Sequence, residues 1–438
     1  MAPFTSLVPV IVLAVAIPAL AQQPEPMKAR LDAMADAYAN IKVNAVVLIG
    51  HHDKIVYEKA FGYADLDKKI PLAVGTRFKT ESVGKIFTST RIMQLVEQGK
   101  LKLDDPATKY LQGWNIPDLD KITIHQLLNH TAGLRSPWDH PNYDFSKAYT
   151  PAELKRIIEE VTPVSKPGGK YYYSNSGYYL LGEIIAAVTG RSYDADTRQA
   201  IFGVAHMANT DHLNATRMPA NAAQPYIFHS STEYRPFNVG VSPRAIAAGG
   251  WVSNAHDLYK FAQNYQDGKF ISLPTRKVQW SANGTADLSK DGRYYGYGTE
   301  VHVNTLVPGK TIVGHTGGGG GFSVDMFVEP ESGYVVVTLS NAYAMNRAMS
   351  TNFLNAALGL PTRPAAQTAT VRAVDHLQLK GLAYFQKDPA AFFKEIDIPK
   401  ASPGLLEEIE GSLREIRQNE LADGVAQTAK MLAGAPKT

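Results

Sequence analysis

The chain of 438 residues is long enough for one large domain or two ordinary ones with a sizeable core. Its 45% hydrophobic and 10% aromatic content is that of a globular protein. A net charge of +3 without a basic tract argues against nucleic acid and anionic membrane surfaces as partners. The absence of cysteine excludes disulfides, thiolate metal ligands and a cysteine nucleophile.

In chain order, Leu7 to Leu20 is an apolar run followed by Ala19-Leu20-Ala21, a small-x-small cleavage signal before Gln22-Gln23-Pro24. The run is shorter than the ~20 residues of a membrane span and contains Pro9 and Pro18. No Lys or Arg precedes it, so only the terminal amine supplies the positive charge that export signals usually carry. Residues 1–21 are therefore predicted to be a signal peptide cleaved after Ala21, giving a periplasmic or secreted protein without a transmembrane or lipid anchor.

Met27 to Ile41 has helical periodicity through Leu31, Met34, Ala35 and Tyr38. Two strand-like runs follow, Asn44 to Gly50 and Lys54 to Gly62, joined by His51-His52-Asp53. Helical patterns dominate from Ser82 to about Gln266. Strand patterns return at Tyr294 to Val303, Thr311 to Gly314, Phe322 to Glu329 and Tyr334 to Ser340, the last pair linked by Pro330-Glu331-Ser332-Gly333. Asn346 to Leu358 reads as a helix. Strands at both ends with helices between predict one antiparallel sheet that pairs early with late strands, an inserted helical region, and a cleft at their junction. Pro361 to Thr370 reads as a linker, and residues 371–438 as a helical extension in which Ser402-Pro403 opens a helix over Leu405 to Gln418.

Three segments carry chemistry. In "SVGK", Ser82 and Lys85 are the only Ser-x-x-Lys pair in the chain, and at i and i+3 on a helix they share a face. A serine hydroxyl becomes a good nucleophile when a neighbour takes its proton, and a lysine can do so once burial or positive charge lowers its pKa. In "YYYSNSGYYLLGEII", Tyr173-Ser174-Asn175 precedes an apolar helix. A tyrosine there can relay a proton, and an asparagine can bind both a substrate carbonyl and the lysine. In "IVGHTGGGGGF", His315-Thr316-Gly317 ends a strand-like run and opens five glycines, Gly317 to Gly321, which permit close approach of a substrate.

Together, and in this order, these segments resemble the serine β-lactamase and penicillin-binding protein superfamily, most closely the class C β-lactamase-related hydrolases that include DD-peptidases and esterases. "ITIHQLLNHTAGL", "AAGGWVSNAHDLYKF" and "GYGTEV" resemble the same family, and the resemblance covers about residues 28–360. It implies an α+β fold in which a five-stranded antiparallel sheet flanked by helices stands beside an all-helical region. It further implies that Ser82 is the acylated nucleophile, with Lys85 and Tyr173 the two candidate bases. Asn175, His315, Thr316 and Gly317 would bind substrate, and the backbone N–H groups of Ser82 and Gly318 would form the oxyanion hole.

Competing sites are absent from the sequence. There is no Gly-x-Ser-x-Gly elbow and no His-Glu-x-x-His, and Asn304 stands where a phosphate loop ending in "PGKT" needs its first glycine. No cofactor or metal is expected, and His130 in "LLNHTAG" reads as a structural histidine. The predicted activity is that of an exported serine hydrolase acting on small esters, D-amino acid peptides or β-lactams. His315, in place of the lysine typical of class C β-lactamases, offers a carboxylate less positive charge at neutral pH and favours an esterase or peptidase. The alternatives are a class C-like β-lactamase and a slowly deacylating penicillin-binding or sensor protein.

Overall fold

The computed structural model describes residues 26–144, 147, 149–212, 221–237, 247–283, 292–342, 348–398 and 401–434. The expected signal peptide lies outside these residues. Helix α1 (Met27–Asn40) buries Leu31, Met34, Ala35 and Tyr38, the stripe that its periodicity predicts. Strands β1 (Ala45–His51) and β2 (Lys54–Phe61) form the first hairpin. Two short strands, β3 (Tyr63–Asp65) and β4 (Ile70–Pro71), pair with each other, and β5 (Phe78–Lys79) leads into the helical region.

That region contains α2 (Gly84–Glu97), α3 (Ile124–Leu128), α4 (Pro151–Glu160), α5 (Asn175–Thr189) and α6 (Tyr193–Thr197). Its helices start where side chains can satisfy the open amides of a first turn. Thr123 and Thr150 form capping boxes with Gln126 and Glu153, and Ser174 caps α5. Strand β6 (Asp211–His212) follows in the same region, and after it the hairpin of β7 (Tyr226–Phe228) and β8 (Tyr234–Pro236). Strand β9 (Trp251–Ser253) lies between β5 and β6, and α7 (Ala255–Gln266) and α8 (Leu273–Gln279) complete the region. Helix α2 is anchored to α6 by a buried ion pair, Arg91 Nε to Asp196 Oδ2 at 2.5 Å.

The chain returns to the main sheet through β10 (Arg293–Tyr295), β11 (Glu300–Val303), β12 (Thr311–Gly319), β13 (Phe322–Glu329) and β14 (Tyr334–Ser340), and α9 (Ala348–Leu358) packs on it. The sheet order is β10-β11-β12-β13-β14-β1-β2, all antiparallel, with early strand β1 paired to late strand β14 from Ala45↔Ser340 to His51↔Tyr334. Side chains of β1 alternate between two cores. Val46 and Leu48 face the helical insert, whereas Ala45, Val47 and Ile49 face α1 and α9. The α+β architecture is as expected.

Two details of the sheet differ from expectation. It has seven strands rather than five, partly because the run Tyr294 to Val303 reverses instead of extending. Gly298, at φ +66°, lies so close to α2 that a Cβ there would sit 2.3 Å from Ser89 Oγ, and β10 and β11 pair across this turn. In addition, β12 does not stop at Gly314. It continues through His315 to Gly319, with Gly317, Gly318 and Gly319 opposite Val324, Ser323 and Phe322.

Beyond Leu360 come α10 (Ala369–Lys380), α11 (Leu382–Lys387), α12 (Pro389–Glu395), α13 (Pro403–Glu415) and α14 (Asn419–Gly434). They share a core of their own, built around Leu377, Phe385, Phe392, Ile409 and Leu413. Ser402 caps α13 and Pro403 occupies its first turn, as the sequence predicts. Among the described residues no helix is long and apolar enough to cross a membrane.

Candidate active site

Ser82 lies in a 3-10 turn, Glu81–Val83, that runs directly into α2, so its backbone N–H is at the start of a helix. Glu81, the preceding residue, has φ +46°, a strained conformation for a residue with a side chain. Two glycines allow this turn its position. A Cβ at Gly317 of β12 would lie 2.3 Å from Thr80 O and 3.2 Å from Ser82 N, and one at Gly249 would lie 2.5 Å from Glu81 O. The end of β12 and the segment before β9 thus hold the serine from two sides.

One turn on, Lys85 is fully buried. Its Nζ is 3.1 Å from Ser82 Oγ, 2.6 Å from Asn175 Oδ1 and 2.8 Å from the carbonyl oxygen of Ala248. It also lies 4.8 Å from the centre of the Tyr173 ring. Burial holds the amine well below the ordinary lysine range, with the charge of Glu81 acting in the opposite direction. Asn175 is the first residue of α5, and its backbone N–H donates to Ser136 Oγ at 3.0 Å. That bond and the Ser174 cap fix the side chain that faces the lysine.

The Tyr173 ring packs against His130, Tyr295 and His315, with ring centres 4.4, 6.1 and 6.3 Å away. This packing pushes its hydroxyl well above the ordinary phenol range, while a hydrogen bond with the Ser82 side chain pulls it down. The sequence therefore brings Ser82, Lys85, Tyr173 and Asn175 into one cluster from two helix starts about ninety residues apart.

His315 and Thr316 flank the same cluster on β12. His315 Nε2 is 2.9 Å from the Tyr295 hydroxyl, and its Nδ1 is 2.5 Å from the carbonyl oxygen of Thr316. The Thr316 hydroxyl and amide both donate to Glu300 Oε1, at 2.6 and 3.1 Å. Gly317 touches the serine turn as described, and Gly318 follows it in the strand, paired with Ser323.

Several neighbours carry no strong sequence signal. Ala248 acts through its backbone carbonyl, which no side-chain motif reports. Glu300, within "GYGTEV", lies in a strand whose alternation suggests a solvent-facing carboxylate. His130 is more central than its structural reading suggests. It is buried at φ +63°, its Nδ1 accepts from Ser174 N at 3.1 Å, and its ring is sandwiched among Tyr171, Tyr173, Tyr178 and Tyr295. Burial, Lys85 and His315 all keep it well below the ordinary histidine range, so it stays a neutral ring that seats Tyr173.

Chemically, the cluster offers a hydroxyl with a desolvated amine within hydrogen-bond reach, a protonated phenol beside both, and backbone amides at a helix start. Residues 32–360 match the Beta-lactamase family model. The chain is 31% identical to Penicillin-binding protein 4* of Bacillus subtilis (strain 168) over 318 residues, 68% of each chain. Among solved structures it is similar to the octameric penicillin-binding protein homologue from Pyrococcus abyssi, with a TM-score of 0.66 and 26% identity over 80% of this chain and 81% of that one. It also shares its fold with a D-stereospecific amidohydrolase from Streptomyces sp., with a TM-score of 0.64 and 24% identity over 76% of this chain and 98% of that one. The chain belongs to the Beta-lactamase family, within the serine β-lactamase and penicillin-binding protein superfamily of serine hydrolases.

Proposed function

We propose that this chain is an exported serine hydrolase that cleaves ester or amide bonds through an acyl-enzyme on Ser82. The observation that carries the reading is the set of partners around Lys85 Nζ: one hydroxyl, Ser82 Oγ, and two carbonyl oxygens, Asn175 Oδ1 and Ala248 O. A neutral amine has two N–H bonds and one lone pair. Donating to the two carbonyls leaves the lone pair directed at the serine hydroxyl, the arrangement of a general base. Burial favours that neutral form.

In this reading Ser82 Oγ attacks the substrate carbonyl carbon and its proton passes to Lys85. The N–H groups of Ser82 and Gly318 stabilise the oxyanion, and Asn175 orients the substrate. Tyr173, whose environment holds its proton in place, hands a proton to the leaving group and recovers it through Lys85. Water then hydrolyses the ester on Ser82. Loss of one oxyanion donor would cost on the order of 100-fold or more in rate.

The D-stereospecific amidohydrolase among the fold neighbours supports amide substrates. The penicillin-binding relative supports a second reading, a D-Ala peptidase that penicillin acylates and leaves slowly. Pre-steady-state kinetics with a p-nitrophenyl ester, alongside the Ser82→Ala variant, test the proposal. A burst of one nitrophenol per chain, absent from the variant, is the expected result; equal rates in both proteins would remove Ser82 from the mechanism.

A further inference from the structure

The side chains of His315 and Thr316 are held by partners within the fold. Glu300 sits on β11 opposite Gly314, and its side chain is 13% exposed. Its Oε1 accepts from both the hydroxyl and the amide of Thr316, so that hydroxyl proton is already committed. His315 is engaged as well. With Nδ1–H donating to the Thr316 carbonyl and Nε2 accepting from the Tyr295 hydroxyl, the neutral ring has no second N–H to offer a ligand.

Burial is the main cause that raises Tyr171 and Tyr173, and the charge of Glu300 adds to both, so it reaches the acylation pocket. Two histidines also face Glu300: His302 Nε2 lies 3.2 Å from its Oε2, with the Thr305 hydroxyl on the other ring nitrogen, and His315 Nδ1 lies 3.7 Å from its Oε1. With both rings neutral, the remaining charges close to the cluster do not cancel the carboxylate. Glu81 is paired with Lys79 at 3.2 Å, Lys85 is buried, and Arg293, which opposes Glu300 at Tyr171, is itself exposed. Among the described residues, the field on the β12 side of Ser82 is therefore set by a carboxylate.

We propose that Glu300 is a specificity-determining residue: its carboxylate, fixed on Thr316 beside the acylation pocket, selects neutral or cationic esters and amides over carboxylate-bearing ones. The inference rests on the reading of Ser82 as the acylated nucleophile. It narrows the substrate class to compounds without an anionic group next to the scissile bond. A cationic group in that position would be favoured by the field of the carboxylate.

The test uses two aryl acetates that differ in one charge, 3-acetoxybenzoate and 3-acetoxy-N,N,N-trimethylanilinium. Each kcat/KM is divided by that ester's own hydroxide-catalysed rate, which removes intrinsic reactivity. The wild-type chain is expected to prefer the cationic ester. Glu300→Gln, which keeps an acceptor oxygen for Thr316, is expected to narrow that preference about tenfold, the order of effect of one charge at short range in a partly screened site. Two results would overturn the proposal while leaving the hydrolase reading intact. One is a wild-type chain that treats the esters alike or prefers the anionic one, which needs no variant to fold. The other is a folded Glu300→Gln chain with the ratio unchanged within about twofold. If Ser82→Ala hydrolyses both esters as fast as the wild-type chain, the hydrolase reading falls and this inference with it.

Discussion

Asn175 Oδ1 accepts a 2.6 Å hydrogen bond from Lys85 Nζ, joining the start of α5 to the first turn of α2. This contact takes up one of the two N–H bonds of a neutral amine. In the proposed mechanism it keeps the lone pair directed at Ser82. Asn175→Ala should lower kcat/KM by about 100-fold, within the range of a misplaced general base. Asn175→Asp is the sharper variant. A carboxylate beside the amine favours the ammonium form, so the pH–rate profile should move toward higher pH. A profile unmoved by Asp would separate Lys85 from the proton transfer.

Activity of the wild-type chain should depend on pH through the same group. A base works only when unprotonated, so the rate is full above the pKa of Lys85 and lost as pH falls below it. Burial has lowered that pKa from 10.5, so the fall should lie below the ordinary lysine range. Tyr173 is shifted the other way from 10.0 and stays protonated across the working range. Folding also releases a proton wherever the unfolded lysine is charged and the native one is not. Stability should thus rise with pH between the native pKa and 10.5. Thermal melts of the parent and of Lys85→Met across that window measure this slope, which the variant should lack.

Gly317→Ala tests the close approach of β12 to the serine turn. The added methyl would lie 2.3 Å from Thr80 O, too close for either backbone to stay in place. A cost of about 1–3 kcal/mol is expected from overpacking, with acylation falling about 100-fold or more if the shift withdraws an oxyanion donor. Denaturant melts and acylation rates measured on one preparation separate the two effects. Parent-like values for both would show that the strand and the turn are free to part.

Asp196 tests the anchoring of α2. It accepts from Arg91 Nε at 2.5 Å and Arg91 Nη2 at 3.2 Å, and Arg191 also reaches it at 2.5 Å. Removing the carboxylate leaves the buried Arg91 without its anion, so Asp196→Ala should cost about 3–5 kcal/mol. Chemical denaturation gives the value directly. A loss under about 1 kcal/mol would mean that water or a neighbour replaces the pair.

The cluster was legible in the sequence because its chemistry is written in side chains at short spacings. Ser82 and Lys85 share one helix turn, and Asn175 follows a capping serine at the mouth of an apolar helix. Likewise α1 announces itself through Leu31, Met34, Ala35 and Tyr38, which are all buried. Features that depend on tertiary contact were not legible. The reversal between β10 and β11 is made by Gly298 pressing against α2, and nothing local distinguishes it from a glycine within one strand. The extension of β12 through three glycines depends on the partner strand β13 rather than on β propensity. Glu300 and the Ala248 carbonyl became part of the site only because the fold carries them to Thr316 and Lys85.

Covalent capture of Ser82 separates an acyl-enzyme from every other route to hydrolysis. Intact-protein mass spectrometry, quenched at short and long times after mixing with a p-nitrophenyl ester and, separately, with a penicillin, reads both acylation and its decay. A mass gain of one acyl group per chain is expected from the ester, absent from Ser82→Ala and decaying with turnover. A gain that persists in Ser82→Ala, or an ester consumed by the wild-type chain without any adduct or burst, would contradict it.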